Sequence, residues 1–138
     1  MGGYSHHGAV VYNAADATAA GVPEGYNDNV LEITSNSAGA TGVVLDFTSW
    51  NIKATDIVSI TIRYYVDSAC GSIRIPCNGT WLFNDPNIDK EQWAEITINT
   101  AAVPFVNYAN ADGTLGYFPL AFRHGTTFYV DSITVNMA

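Results

Sequence analysis

The chain has 138 residues, 48 % of them hydrophobic, with 13 Asp and Glu against 5 Lys and Arg and a formal net charge of −8. That length suffices for one domain with a real core, residues 1–138, and the composition excludes a disordered chain. The negative charge argues against nucleic acid or an anionic membrane as partner. No apolar run approaches the roughly 20 residues of a membrane-spanning helix. The first residues, MGGYSHHGAV, carry neither the basic nor the apolar region of a signal peptide, and His6 breaks a myristoylation pattern.

Helical periodicity is nearly absent. Short β-branched and aromatic runs alternate with clusters of Gly, Asn, Asp and Ser, the pattern of strands and turns. The predicted strands are, in order, GAVVYN (8–13), NVLEITS (29–35), TGVVLDFT (41–48), SITIRYYVD (59–67) and SIRIPC (72–77), then TWLFN (80–84), QWAEITIN (92–99), YFPLAFRH (117–124) and TFYVDSITVNM (127–137). Residues 17–25 and 100–116 read as loops, and only 54–58 and 86–93 as helical turns. So many short strands, with no internal repeat and no linker, predict an all-β sandwich or barrel.

Successive side chains of a strand point to opposite faces. In SITIRYYVD this sends Ile60, Ile62, Tyr64 and Val66 to the core, because an unpaired buried Arg63 would be prohibitive. In SIRIPC, Ile73, Ile75 and Cys77 go in, and Arg74 and Pro76 go out. Asn78-Gly79 is the strongest short hairpin signal. Closing it pairs Cys77 with Thr80, Pro76 with Trp81, Ile75 with Leu82 and Arg74 with Phe83, which places Trp81 and Phe83 beside Arg74. In YFPLAFRH, Phe118, Leu120 and Phe122 go in, leaving Tyr117, Pro119, Ala121 and Arg123 outside. Cys70 and Cys77 stand about 20 Å apart along an extended strand, too far for a disulfide, so two free thiols are expected.

Three arginines, Arg63, Arg74 and Arg123, thus fall mid-strand on polar faces together with Tyr65, Trp81 and Tyr117. A guanidinium offers a planar fork of donors to a carboxylate or to vicinal hydroxyls. Flat rings nearby suit the apolar face of a sugar. The plain alternative is that exposed arginines solvate the sheet or pair across strands with acids. Trp50 and Trp93 are expected to pack at strand ends, and Tyr64 to lie in the core with its hydroxyl at the rim. Tyr108 could wall a site from its loop. His6 and His7, being adjacent, would point to opposite faces, and His124 falls at a strand end. The sequon at Asn78 is explained by the hairpin, and NDPNIDKE (84–91) reads as a solvated loop.

QWAEITINTAAV (92–103), followed after a loop by YFPLAFRHGTTFYVDSITV (117–135), resembles the C-terminal half of jelly-roll carbohydrate-binding modules with the galactose-binding-like fold. The closing run Phe128-Tyr129-Val130-Asp131-Ser132-Ile133 is its most specific part, and DIVSITIRYYVD (56–67) after Leu45-Asp46-Phe47 also resembles a strand of that family. The resemblance implies an antiparallel jelly-roll β-sandwich. It implies glycan binding on a concave sheet, with a second type of site in loops at one edge. It also implies a structural Ca²⁺ ligated by Asp131, with further oxygens from the N-terminal segment, where Asp16, Glu24 and Asp28 are the candidates.

No nucleophile elbow, phosphate loop, zinc spacing or paired-carboxylate motif is present. The expectation is therefore a noncatalytic module that binds a polysaccharide or oligosaccharide through Arg63, Tyr65, Arg74, Trp81, Tyr117 and Arg123. It would be a monomeric part of a longer secreted chain, attached to a glycan-degrading enzyme. The alternatives are a structural or adhesive cell-surface sandwich without a glycan ligand, and a small polysaccharide lyase in which arginine neutralises a uronate and Tyr65 or Tyr117 moves protons.

Overall fold

Alternation along the strands builds two antiparallel sheets that face each other. A computed structural model describes residues 10–12, 16, 18, 20–27, 29–34, 40–77, 80–123 and 127–138, without the side chains of 10–12, 34, 40–43 and 123. The strands are β1 (Val10–Tyr12), β2 (Val30–Thr34), β3 (Ala40–Asp46), β4 (Ile57–Val66), β5 (Ile73–Cys77), β6 (Thr80–Asp85), β7 (Ala94–Asn99), β8 (Tyr117–Arg123) and β9 (Thr127–Met137). One sheet has the order β1-β2-β9-β4-β7 and the other β3-β8-β5-β6. After β2 every connection except that between β5 and β6 crosses from one sheet to the other, which makes the sandwich a jelly roll.

The inward residues meet between the sheets. Ile60, Ile62, Tyr64 and Val66 of β4 are buried, as are Ile73, Ile75 and Cys77 of β5 and Phe118, Leu120 and Phe122 of β8. Three rings bridge the sheets: Phe122 stacks on Phe128 at 5.0 Å, and Phe128 on Tyr64 at 5.6 Å. Each fully buried Phe contributes about 2–3 kcal/mol by leaving water, so this stack is a principal source of cohesion. Cys70 and Cys77 are both buried and form no disulfide, as their spacing predicts.

Two bulges re-aim side chains. Pairing between β5 and β6 runs Cys77–Thr80 and Pro76–Trp81, then shifts, so that Ile75 faces Phe83 and Arg74 faces Asn84. Leu82 is the extra residue, and the expected pairs Ile75–Leu82 and Arg74–Phe83 are not formed. Phe83 packs against the core and Asn84 takes its place beside Arg74. In β9 the register with β4 shifts between Arg63–Ser132 and Tyr64–Val130, leaving Asp131 as the inserted residue.

The connecting segments also differ in part from expectation. A 3-10 turn does form at Ala54–Asp56, but residues 86–93 form none. They form an irregular segment tied to β4, with Glu91 N–H donating to the Val66 carbonyl at 2.7 Å and the Glu91 carboxylate accepting Ser68 N–H at 2.9 Å. Within the expected loop 100–116, Phe105–Tyr108 makes a 3-10 turn that buries Phe105 and Tyr108. Asp16, Thr18 and Ala20 are helical where a loop was expected from 17. The Asn78-Gly79 turn, His6, His7, His124 and Asp28 lie outside the described residues.

The Tyr64 hydroxyl donates to the Asp89 carbonyl at 3.1 Å. Burial, with the Asp89 carboxylate adding to it, pushes the Tyr64 phenol up to about 12. A folded-state value above the unfolded one means stability intact below pH 10 and lost as the pH climbs toward 12. Urea titrations should show Tyr64→Phe about 1 kcal/mol less stable at pH 7 for the lost hydrogen bond. The variant should also lose less stability than the wild type between pH 10 and 12.

Candidate functional site

Parity sends the six candidate residues outward, but a sandwich has two outer faces. Arg63 and Tyr65 are on β4, in the five-stranded sheet. Arg74, Trp81, Tyr117 and Arg123 are on β5, β6 and β8, in the four-stranded sheet. The expectation that all six share one surface is corrected by strand order: they divide two and four.

The part of the five-stranded face around Arg63 and Tyr65 is covered. Residues 22–27 cross it and are tied down by side chains beneath. Trp93 donates its indole N–H to the carbonyls of Pro23 at 3.2 Å and Glu24 at 2.9 Å. Gly25 lies against that indole with φ +122°, and a Cβ there would meet Trp93 Cδ1 at 2.5 Å, so only glycine fits. Tyr65 is half-buried, edge-on to Trp93 at 5.7 Å and to Tyr129 at 6.3 Å. Val22 and Val30 form a second small core here with Tyr26, Trp93 and Tyr129.

Arg63 completes this closure. Its guanidinium stacks over Trp93, with Cζ 5.0 Å from the ring centre, and its Nη1 donates at 2.7 Å both to Asp131 Oδ2 and to the Gly25 carbonyl. The Asp131 carboxylate, fully shielded from solvent, also accepts Asn27 N–H at 2.8 Å and Asn27 Nδ2 at 3.0 Å. Calcium takes six to eight oxygen ligands. The surroundings of Asp131 are instead N–H donors and a permanent cation, and the nearby Gly25 carbonyl is engaged by that same cation. These residues do not fit a calcium ion. Asp16 and Glu24 are exposed, and among the described residues no three His, Cys, Asp or Glu gather as metal ligands.

The four-stranded face is open. Trp81 is 40 % exposed and Tyr117 50 %. Arg74 lies with its Cζ 4.9 Å over the Trp81 ring, and its Nε donates to Ser72 Oγ at 3.0 Å. No acid pairs with it among the described residues. Pro119 and Ala121 share the outward parity of Tyr117 yet are buried, Ala121 completely. Tyr117, Trp81 and Arg74, by contrast, stay in contact with solvent. Arg123 ends β8, its backbone paired with Ala40, and its side chain lies outside the described atoms. At the other end Asp46 is paired with Tyr117, and bonds from Thr48 N–H and hydroxyl hold its carboxyl below the usual carboxylate range.

Sequence reasoning missed Ser72 and Asn84, which flank Arg74, and missed Trp93 and Asn27 as clamps on the covered part of the other face. Ser72 precedes β5 at outward parity, which was a usable signal. Asn84 reaches its place only through the Leu82 bulge. Trp50, expected to pack at a strand end, is 47 % exposed, edge-on to Phe47 at 4.8 Å, and lips a shallow recess of about 250 Å³ beside Leu31 and Ile133.

No protein-family model matches the sequence, and no curated protein does. The solved structure described as "Solution structure, dynamics and binding studies of CtCBM11" superposes with a TM-score of 0.51 at 20 % identity, over 99 % of this chain and 88 % of that one. A second, "CBM4 structure and function", gives a TM-score of 0.42 at 18 % identity, over 94 % of this chain and 86 % of that one. The fold is thus the jelly-roll β-sandwich found in solved carbohydrate-binding modules.

Replacing Arg63 with Met should cost about 2–3 kcal/mol in urea unfolding, below the range for a wholly buried pair because the arginine side chain is 26 % exposed. Gly25→Ala should destabilise by more than about 1 kcal/mol, since both the left-handed φ and the Trp93 contact oppose a side chain. The melting temperature should be the same in EDTA and in millimolar calcium, as scanning calorimetry would show.

Proposed function

We propose that this chain is a noncatalytic carbohydrate-binding module, one domain over residues 1–138, that binds a polysaccharide or oligosaccharide on the outer face of its four-stranded sheet. The observation that carries the reading is a pair of exposed rings with an oriented arginine. Trp81 and Tyr117 offer flat apolar faces to solvent, and Arg74 is stacked and oriented beside Trp81. Exposed aromatic clusters of this kind mark binding surfaces. The fold it shares with the CtCBM11 structure supports the same reading. Trp81 is about 12 Å from Tyr117 by strand spacing and rise, a span suited to an extended ligand rather than a single small molecule.

With this reading goes a role as a monomeric part of a longer secreted chain, holding an attached glycan-degrading enzyme on its substrate. The adhesive alternative requires arginines consumed by acids and covered rings. Arg63 meets that description, whereas Arg74, Trp81 and Tyr117 do not. A lyase requires its proton carrier beside the arginine. Tyr117 stands four residues along β8 from Ala121, the partner of Arg74, or about 13 Å.

Affinity electrophoresis in gels containing plant and algal polysaccharides tests the reading. At least one glycan should retard the wild type. Trp81→Ala should weaken that binding by about 2 kcal/mol, some thirtyfold, whereas Tyr65→Phe in the covered part of the five-stranded face should leave it unchanged. Migration unaltered by every glycan would refute the module reading.

A further inference from the structure

The open face is rich in hydrogen-bond donors and poor in acceptors, and this imbalance selects among glycans. Arg74 gives its Nε–H to Ser72 and its flat side to Trp81, so the Nη edge of its guanidinium has no partner among the described residues. The indole of Trp81 adds another N–H and accepts nothing.

Acceptors are scarce by comparison. Asp46 is the one carboxylate at outward parity on this sheet among the described residues, and it already accepts Thr48 N–H at 2.9 Å. From the strand register it lies roughly 16 Å from Arg74, about twice the screening length at physiological salt. Asp85 of β6 pairs with Ile73 and takes inward parity. Asn84, opposite Arg74, brings one amide oxygen and two N–H donors.

A sugar hydroxyl both donates and accepts. A neutral chain pressed onto this face would leave many of its own O–H groups without acceptors, and would cover a half-buried cation with nothing of opposite sign. A carboxylate only accepts, and it meets the edge of a guanidinium with two parallel hydrogen bonds. Arg63 shows how this protein treats an arginine that serves the fold alone, pairing it with an acid and a carbonyl. Arg74 has neither.

We infer that the ligand is an acidic polysaccharide, with a uronate carboxylate on the Nη edge of Arg74 and the adjacent sugar ring against Trp81. This rests on the carbohydrate reading above. The net charge of −8 repels a polyanion at long range, but physiological salt screens that field over about 8 Å, so the local donors decide.

The experiment is affinity electrophoresis of the whole chain in 0.15 M salt against polygalacturonate, alginate, glucuronoxylan, fully methyl-esterified polygalacturonate, dextran sulfate and a neutral β-glucan. At least one uronate polymer should retard the protein at least tenfold more strongly than the neutral glucan. If polygalacturonate binds, its ester, which has the same backbone without the charge, should bind at least tenfold more weakly. Arg74→Gln should lower uronate binding more than tenfold and Arg74→Lys should restore part of it, with melting temperatures measured alongside. The comparison among polymers uses the wild type alone and stands even if a variant misfolds. Equal or stronger binding of the neutral glucan or the ester would overturn the inference while leaving the module reading intact. Preference for the sulfated polymer would overturn the carboxylate assignment. Binding to none of the polymers would overturn both readings together.

Discussion

The contact between Arg63 and the shielded carboxylate of Asp131 decides which aromatic side chains of the sandwich are covered. A carboxylate removed from water needs a cation or several N–H groups. Arg63 supplies the first and Asn27 the second, and Asn27 belongs to the segment that crosses the outside of the five-stranded sheet. Satisfying Asp131 therefore pulls residues 22–27 down onto Trp93 and Tyr65. The consequence extends beyond one ion pair, because the covered aromatic residues become part of a second core with Val22 and Val30.

That pair is not the main source of stability. Bringing two charges out of water offsets most of what their attraction gains, and the cohesion of the molecule lies in the apolar residues and stacked rings between the sheets. What the pair contributes is placement: one segment, one face, one register. Arg74 and Trp81 repeat the same motif of guanidinium over indole on the opposite side, at nearly the same distance, but with no acid paired to the arginine among the described residues. Two like pairs of residues thus serve the fold and the proposed site, and the neighbouring acid makes the difference.

Much of the fold was legible because strands write their burial at period two. All nine strands lie where alternation places them, and the inward sets of β4, β5 and β8 are those the pattern predicts. Parity could not say which sheet a strand joins, since β4 and β5 are consecutive in sequence yet sit in different sheets. Arg63 and Arg74 therefore looked like neighbours and are not. Pro76, which stands in β5 at the register shift, is a trace of the Leu82 bulge, whereas no glycine or proline marks the one at Asp131. The closing segment left only a faint trace, Pro23-Glu24-Gly25, whose glycine is required by an indole 68 residues further on.

The Leu82 bulge also makes the register of β6 a determinant of surface chemistry. With Leu82 set aside as the extra residue, the position opposite Arg74 is an amide; a regular ladder of the same length would present a phenyl ring there and turn the amide inward. One unpaired leucine thus keeps a polar group, and not a greasy one, across from the arginine.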